Sequence, residues 1–192
     1  MSLNNNLHNF PIWHSKKEDL FPPPNAKMTH WLTTQILSAA LREKVPSVYL
    51  DLVQQGIGQP HPDEAAKLQF DEKKEELPLV RQVTIGSANC RYLYCRVVVP
   101  STLYYQEQST FDTLGSRFIG ETMLYHQPEV HRSTFEYAIL SPHHTLYQEA
   151  VRYTHRENAL VQPILYSRRS LFYLPILPLL ITEVFVHVVS LS

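Results

Sequence analysis

The chain has 192 residues, of which 44% are hydrophobic and 18% charged, enough to bury one sizeable core, and a single domain is the expected count. Seventeen basic against eighteen acidic residues give a formal charge of −1, with no block of like charge. That balance excludes the basic face of a nucleic-acid binder and the polybasic patch of a protein held at an anionic membrane, so the expected partner is a small molecule.

Residues 1–27 are polar and broken by prolines, ending in Phe21-Pro22-Pro23-Pro24, and predict an N-terminal arm, mobile unless something ties it down. The start has neither a basic head nor an unbroken apolar run, so no secretory signal is expected and the default address is the cytoplasm. The domain proper is assigned to residues 28–192. Trp31, Leu32, Ile36, Leu37, Ala40 and Leu41 recur at helical spacing behind a threonine cap near Thr29, which predicts one amphipathic helix to about Lys44 whose stripe faces the core. Ser47 to Gln55 alternates as a strand does, and Gly56 and Gly58 are expected to close it. From Gln59 to Glu76 charges of both signs dominate, and the expectation is a solvated connection with room for one helical turn.

Leu77 to Pro100 is the clearest hairpin: two β-rich runs around Gly86-Ser87-Ala88-Asn89. Leu79, Arg81, Val83 and Ile85 share one face, because side chains alternate along a strand, which sets Arg81 as a cation among apolar neighbours. Cys90 and Cys95, the two cysteines, read as ordinary buried thiols in a reducing compartment. Ser101 or Thr102 can cap a helix running toward Leu114, and Leu114 to Gly120 follows as a glycine-punctuated turn that offers backbone N–H groups. Ser133 to Leu140 reads as a strand and His144 to Thr154 as a short helix.

Leu165 to Val186 places two β-rich runs around a turn bracketed by Pro175 and Pro178. Its apolar length invites a membrane-span reading, but two prolines, Glu183 and His187 within one span would be costly in lipid. Leu179, Ile181, Glu183 and Phe185 share one face, and a carboxylate among apolar neighbours must be paired, protonated or used. Strands grouped around few helices, without βαβ alternation or repeats, predict an α+β domain: a mostly antiparallel sheet with flanking helices.

Arg81 and Glu183 have two readings from periodicity alone, a structural ion pair or a ligand site. Arg168 and Arg169 alternate faces, so only one can point to Glu183's side of its hairpin. Arg96 reads as a strand-face charge. Ten histidines invite a metal hypothesis, but His126, His131, His143, His144 and His155 fall in no spacing that forces ligands together, and no metal site is assigned.

In order and spacing, LVRQV around Arg81, CRVVVPSTL at 95–103, LGSRFIG at 114–120 and SRRSLFYLPILPLLITEVF at 167–185 resemble the chorismate lyase family, over about Trp31 to Val186. The resemblance implies elimination of pyruvate from chorismate to leave 4-hydroxybenzoate, the first step of ubiquinone ring supply, with no metal or organic cofactor; the sequence does not report the oligomeric state, and a monomer is the default expectation. It also implies that Arg81 holds a ligand carboxylate, that Glu183 meets the ring oxygen, and that the backbone at Ile119 and Gly120 faces the ligand. The chemistry suits the residues. A planar guanidinium binds carboxylate through two parallel hydrogen bonds, and cleaving the ether needs a group that manages protons. The chain departs from the family pattern in its longer arm, in the helix face from Ile36 to Ala40 and in its ending VFVHVVSLS. The alternative is a non-catalytic domain that binds a small aromatic acid: the fold also resembles effector-sensing domains of some bacterial transcription regulators, which bind small ligands without turning them over.

Overall fold

The computed structural model describes residues 9–73, 76–154 and 162–187; the first eight residues of the expected arm, His155 and the end beyond residue 187 lie outside that set. One seven-stranded antiparallel sheet organises the domain. Its strands are β1 (Tyr49–Ile57), β2 (Leu79–Gly86), β3 (Arg91–Val99), β4 (His131–Arg132), β5 (Glu136–Leu140), β6 (Leu165–Tyr173) and β7 (Pro178–Phe185). They run in the order β1-β2-β3-β7-β6-β4, with β5 also paired to β6. Among the described residues six α-helices flank the sheet: α1 (Ala26–Thr33), α2 (Leu37–Lys44), α3 (Pro62–Leu68), α4 (Ser101–Gln106), α5 (Gln108–Leu114) and α6 (Thr145–Thr154). Among the described residues no helix is long and apolar enough to cross a membrane.

The predicted hairpins are both present. Pro178 opens β7 opposite Tyr173, at the first position of a strand, where a missing N–H costs least. Alternation sorts the sheet into two faces, and helices cover both. On one, Val83, Ile85, Leu93, Cys95 and Phe185 pack under α1 and α2, while Leu79, Val97, Val99 and Leu179 pack with Leu103 of α4 and Phe111 of α5. On the other, Tyr94, Leu165 and Val184 meet Leu146, Tyr147 and Ala150 of α6, and Val98, Leu171 and Leu180 meet Leu68 at the end of α3.

Several boundaries differ from the sequence expectation. The single helix expected from Trp31 to Lys44 is two. Asn25, not a threonine, caps α1 by accepting from the Met28 N–H at 2.9 Å, and the chain turns extended at Thr34. The Thr33 and Thr34 hydroxyls donate back to carbonyls of the preceding turn, an alternative to helix continuation that β-branched hydroxyl residues offer. Likewise Glu107 separates α4 from α5, and Pro100 rather than Ser101 or Thr102 holds the capping position. β1 runs through Gly56 to Ile57, with a bulge between Leu52 and Gln54 that sets Gln55 opposite Arg81. The strand expected over 133–140 shortens to β5, Glu136–Leu140, and the two-residue β4 precedes it outside the expected range.

The largest correction concerns residues 59–76. Here α3 is no solvated turn: Glu64 is 3% exposed and accepts from the Arg96 Nε at 2.8 Å, while Arg96 is equally buried. Arg169 joins the same face, donating to Glu136 (2.7 Å) and to Asp63 (3.1 Å). His61 and the Tyr94 hydroxyl lie 3.2 and 3.0 Å from the two oxygens of Glu149. Mixed charges that look solvated in sequence are here the partners of buried strand arginines.

Residues 9–25 lie against the far edge of the sheet. His14 exchanges both backbone hydrogen bonds with Tyr137 at 2.8 Å, Leu20 is buried, and the Trp13 indole N–H donates to Asp63.

Candidate active site

Between α2 and the sheet lies a cleft enclosing about 540 Å³ of space, part of it continuous with solvent. Arg81, Ile119, Gly120 and Glu183, the four residues singled out in the sequence, all line it. Register explains why. Arg81 pairs with Val97 and Val97 with Ile181, while Val83 pairs with Cys95 and Cys95 with Glu183; antiparallel partners share a face, so both charges project to the same side. They stand two strands and two residues apart, about 12 Å between Cα atoms from ordinary sheet spacings. The apolar floor between them is Val83, Cys95, Val97 and Ile181.

Arg81 is 1% exposed. Its Nη1 donates to Gln55 Oε1 at 2.7 Å, and its Nη2 donates to the carbonyls of Gly115 at 2.6 Å and Arg117 at 3.3 Å. All three acceptors are neutral. Burial pulls the guanidinium down to about 10 from its ordinary 12.5, the direction expected when a cation leaves water without a counter-ion. The carbonyls come from a turn that Gly115 makes possible with φ of +52°, a backbone state costly for residues with a Cβ. Arg81 and Glu183 are thus not a mutual ion pair. Glu183 Oε2 accepts instead from Arg168 Nε at 2.5 Å, which settles the alternation of the two adjacent arginines: Arg168 shares Glu183's face, and Arg169 points to the other. Arg96 also lies on that other face, away from the cleft.

Gly120 opens a π-helical turn, Gly120–Leu124. A Cβ at Gly120 would sit 2.3 Å from Tyr125 Cε2 and 2.8 Å from the Tyr125 hydroxyl, so the bare backbone is what lets the phenol lie across this edge of the cleft. Burial first, and then the charge of Glu183, push the Tyr125 hydroxyl up to about 12, which keeps it a hydrogen-bond donor at neutral pH. Leu37 and Ser38 of α2 form the cover, and Arg42 of α2 forks onto both carboxylate oxygens of Glu121 beside Gly120. Cys95 is buried in the floor, and burial pushes its thiol well above the ordinary value, consistent with an inert packing residue.

Sequence reasoning missed Gln55, Tyr125 and the cover. Gln55 is aimed by a bulge that leaves no sequence mark. Tyr125 carried a partial signal, as an aromatic residue five positions after a glycine in the singled-out turn.

The site offers a buried cation held, among the described residues, by neutral oxygens, a carboxylate across an apolar floor, a phenol donor and turn backbone. This arrangement can bind an anionic ring compound and handle a proton at its far end.

Comparison with known proteins identifies the family. Residues 7–191 match the family model described as chorismate lyase. The chain is 31% identical over 170 residues to the "Probable chorismate pyruvate-lyase" of Aromatoleum aromaticum, covering 85% of this chain and 86% of that protein. It is 30% identical over 159 residues to the protein of the same name from Thiobacillus denitrificans, covering 81% and 80%. A solved structure, the effector domain of PhnF from Mycobacterium smegmatis, aligns with 73% of this chain and 82% of its own at a TM-score of 0.44 and 13% identity. With its family model spanning nearly all 192 residues, the chain belongs to the chorismate lyase family.

Proposed function

We propose that this protein eliminates pyruvate from chorismate, leaving 4-hydroxybenzoate, and that it works in the cytoplasm as the first step of ubiquinone ring supply. The observation that carries the reading is Arg81: a guanidinium 1% exposed, facing the cleft, whose only hydrogen-bond partners among the described residues are neutral oxygens. A cation so placed is costly until an anion arrives, and chorismate brings two carboxylates.

In this reading Arg81 receives one carboxylate and the turn at Ile119 and Gly120 borders the ligand. Glu183 then meets the ring oxygen at the other end of the floor. The ring carbon bearing the hydroxyl loses its hydrogen, the bond from the neighbouring carbon to the ether oxygen breaks, and the electron pair between them completes the aromatic ring. The departing enolpyruvate takes up a proton at its methylene carbon and becomes pyruvate. Glu183 is the group positioned to manage the proton at the ring, assisted by Arg168 on its second side. Aromatisation supplies much of the driving force, so alignment, charge neutralisation and exclusion of water under α2 are what the protein adds.

The test is incubation of the purified protein with chorismate, following 4-hydroxybenzoate by absorbance and pyruvate by a coupled assay. Equimolar appearance of both is expected. A folded sample that binds 4-hydroxybenzoate and leaves chorismate intact would overturn the lyase reading in favour of a sensor.

A further inference from the structure

One side chain joins the cleft to a distant piece of backbone. Arg168 is 1% exposed and sits opposite Glu183 in the β6–β7 register. Its Nε donates to Glu183 Oε2. Its Nη1 donates to the carbonyls of Thr34 at 2.6 Å, Leu32 at 3.0 Å and Trp31 at 3.3 Å. Those carbonyls belong to the end of α1 and the residue after it, where Trp31 alone of the three keeps a backbone donor, the Thr34 N–H at 3.4 Å, and where the helix dipole favours a cation. Phe135, 4.1 Å from the guanidinium carbon, and Phe185, 5.6 Å away, flank its plane. Arg132 donates to the Gln35 carbonyl in the same break. The break leads directly into α2, which covers the cleft through Leu37 and Ser38.

We propose that Arg168 is a positioning residue that sets the Glu183 carboxylate and couples that setting to the α1–α2 break on which the cover of the cleft is hung. Its catalytic half rests on the lyase reading; the coupling does not. The guanidinium fork is essential to the argument, because the two halves of one rigid plane serve the two tasks at once. A lysine, a point charge on a flexible stem, can serve one of them at a time.

Two measurements decide it. The first is a double-mutant cycle on pyruvate release, with Arg168→Lys measured in the wild-type and Glu183→Ala backgrounds. A misplaced carboxylate predicts that Arg168→Lys lowers kcat about tenfold or more with little change in KM, and that the same substitution changes the residual kcat of Glu183→Ala by less than about threefold. Equal losses in both backgrounds would reduce Arg168 to a helix cap. The second needs no Arg168 variant: hydrogen exchange at residues 31–41, compared between wild type and Glu183→Ala. Faster exchange there, at a site to which Glu183 makes no hydrogen bond, supports the coupling, and unchanged exchange overturns it. If folded wild-type protein releases no pyruvate, the lyase reading fails, and the exchange comparison still decides the coupling.

Discussion

Replacing Arg81 by methionine separates a ligand-binding cation from a structural one. The drop from 12.5 to about 10 corresponds to a penalty of about 3 kcal/mol on the charged form in the folded protein. Because the folded value is depressed for a base, the penalty stands at every pH below about 10 and is relieved only above it. Methionine removes that penalty, and with it the hydrogen bonds to Gln55, Gly115 and Arg117. Orphaned acceptors cost about 1–3 kcal/mol, so the two effects offset and unliganded stability is expected to stay within about 2 kcal/mol of wild type. Ligand binding has no such compensation. Loss of a desolvated charge pair costs about 2–5 kcal/mol, a weakening of at least about thirtyfold. The assay is urea unfolding with and without 4-hydroxybenzoate. In wild type, ligand at a hundred times its dissociation constant adds about 2.7 kcal/mol, and at the same ligand concentration Arg81→Met should keep no more than about 0.9 kcal/mol of it. A variant that loses more than about 3 kcal/mol without ligand, or one that keeps the ligand-induced gain, would refute this account of Arg81.

Glu183→Gln keeps the shape of the side chain and removes its charge; turnover should fall about 10²–10⁴-fold in the pyruvate assay while the circular dichroism spectrum is unchanged. Gly120→Ala must displace Tyr125 from the cleft edge, costing about 1–3 kcal/mol in thermal unfolding, and adding Tyr125→Ala should recover part of that loss if the clash with the ring is its cause. Glu64→Gln leaves Arg96 with Glu149 at 3.7 Å as its remaining ion pair; a loss of about 3–5 kcal/mol in urea unfolding is expected, with kcat of the folded fraction retained because this pair lies on the face away from the cleft. Acid should unfold the same face. Burial works to raise the Glu149 pKa, but hydrogen bonds from His61 and Tyr94 and the charge of Arg96 outweigh it and leave it lowered. Its stabilising contribution is therefore complete above the ordinary value of 4.5 and lost as pH falls through the lower folded value. Glu149→Gln should flatten that part of an acid titration followed by tryptophan fluorescence.

What could be read from the sequence was set by local rules. Period-two alternation and turn chemistry located both hairpins, and the same alternation assigned Arg81 and Glu183 to defined strand faces. A charge placed among apolar residues marked each as a group needing an explanation. The resemblance in motif order supplied Ile119 and Gly120, which periodicity would never single out. What remained hidden depended on partners remote in the chain. Helix α3 looks solvated because Glu64 is 32 residues from Arg96, and the end of α1 is held by a guanidinium 134 residues away. Whether Arg81 and Glu183 paired with each other, and whether Arg168 or Arg169 met Glu183, turned on strand order and register. Side-chain alternation fixes a face only within one strand; neighbouring strands must be chosen and aligned before faces become a cleft. The cleft itself needed one further step, the break at Thr34–Ile36 that lets α2 fold over the floor, and its arginine caps exist only once the sheet has formed.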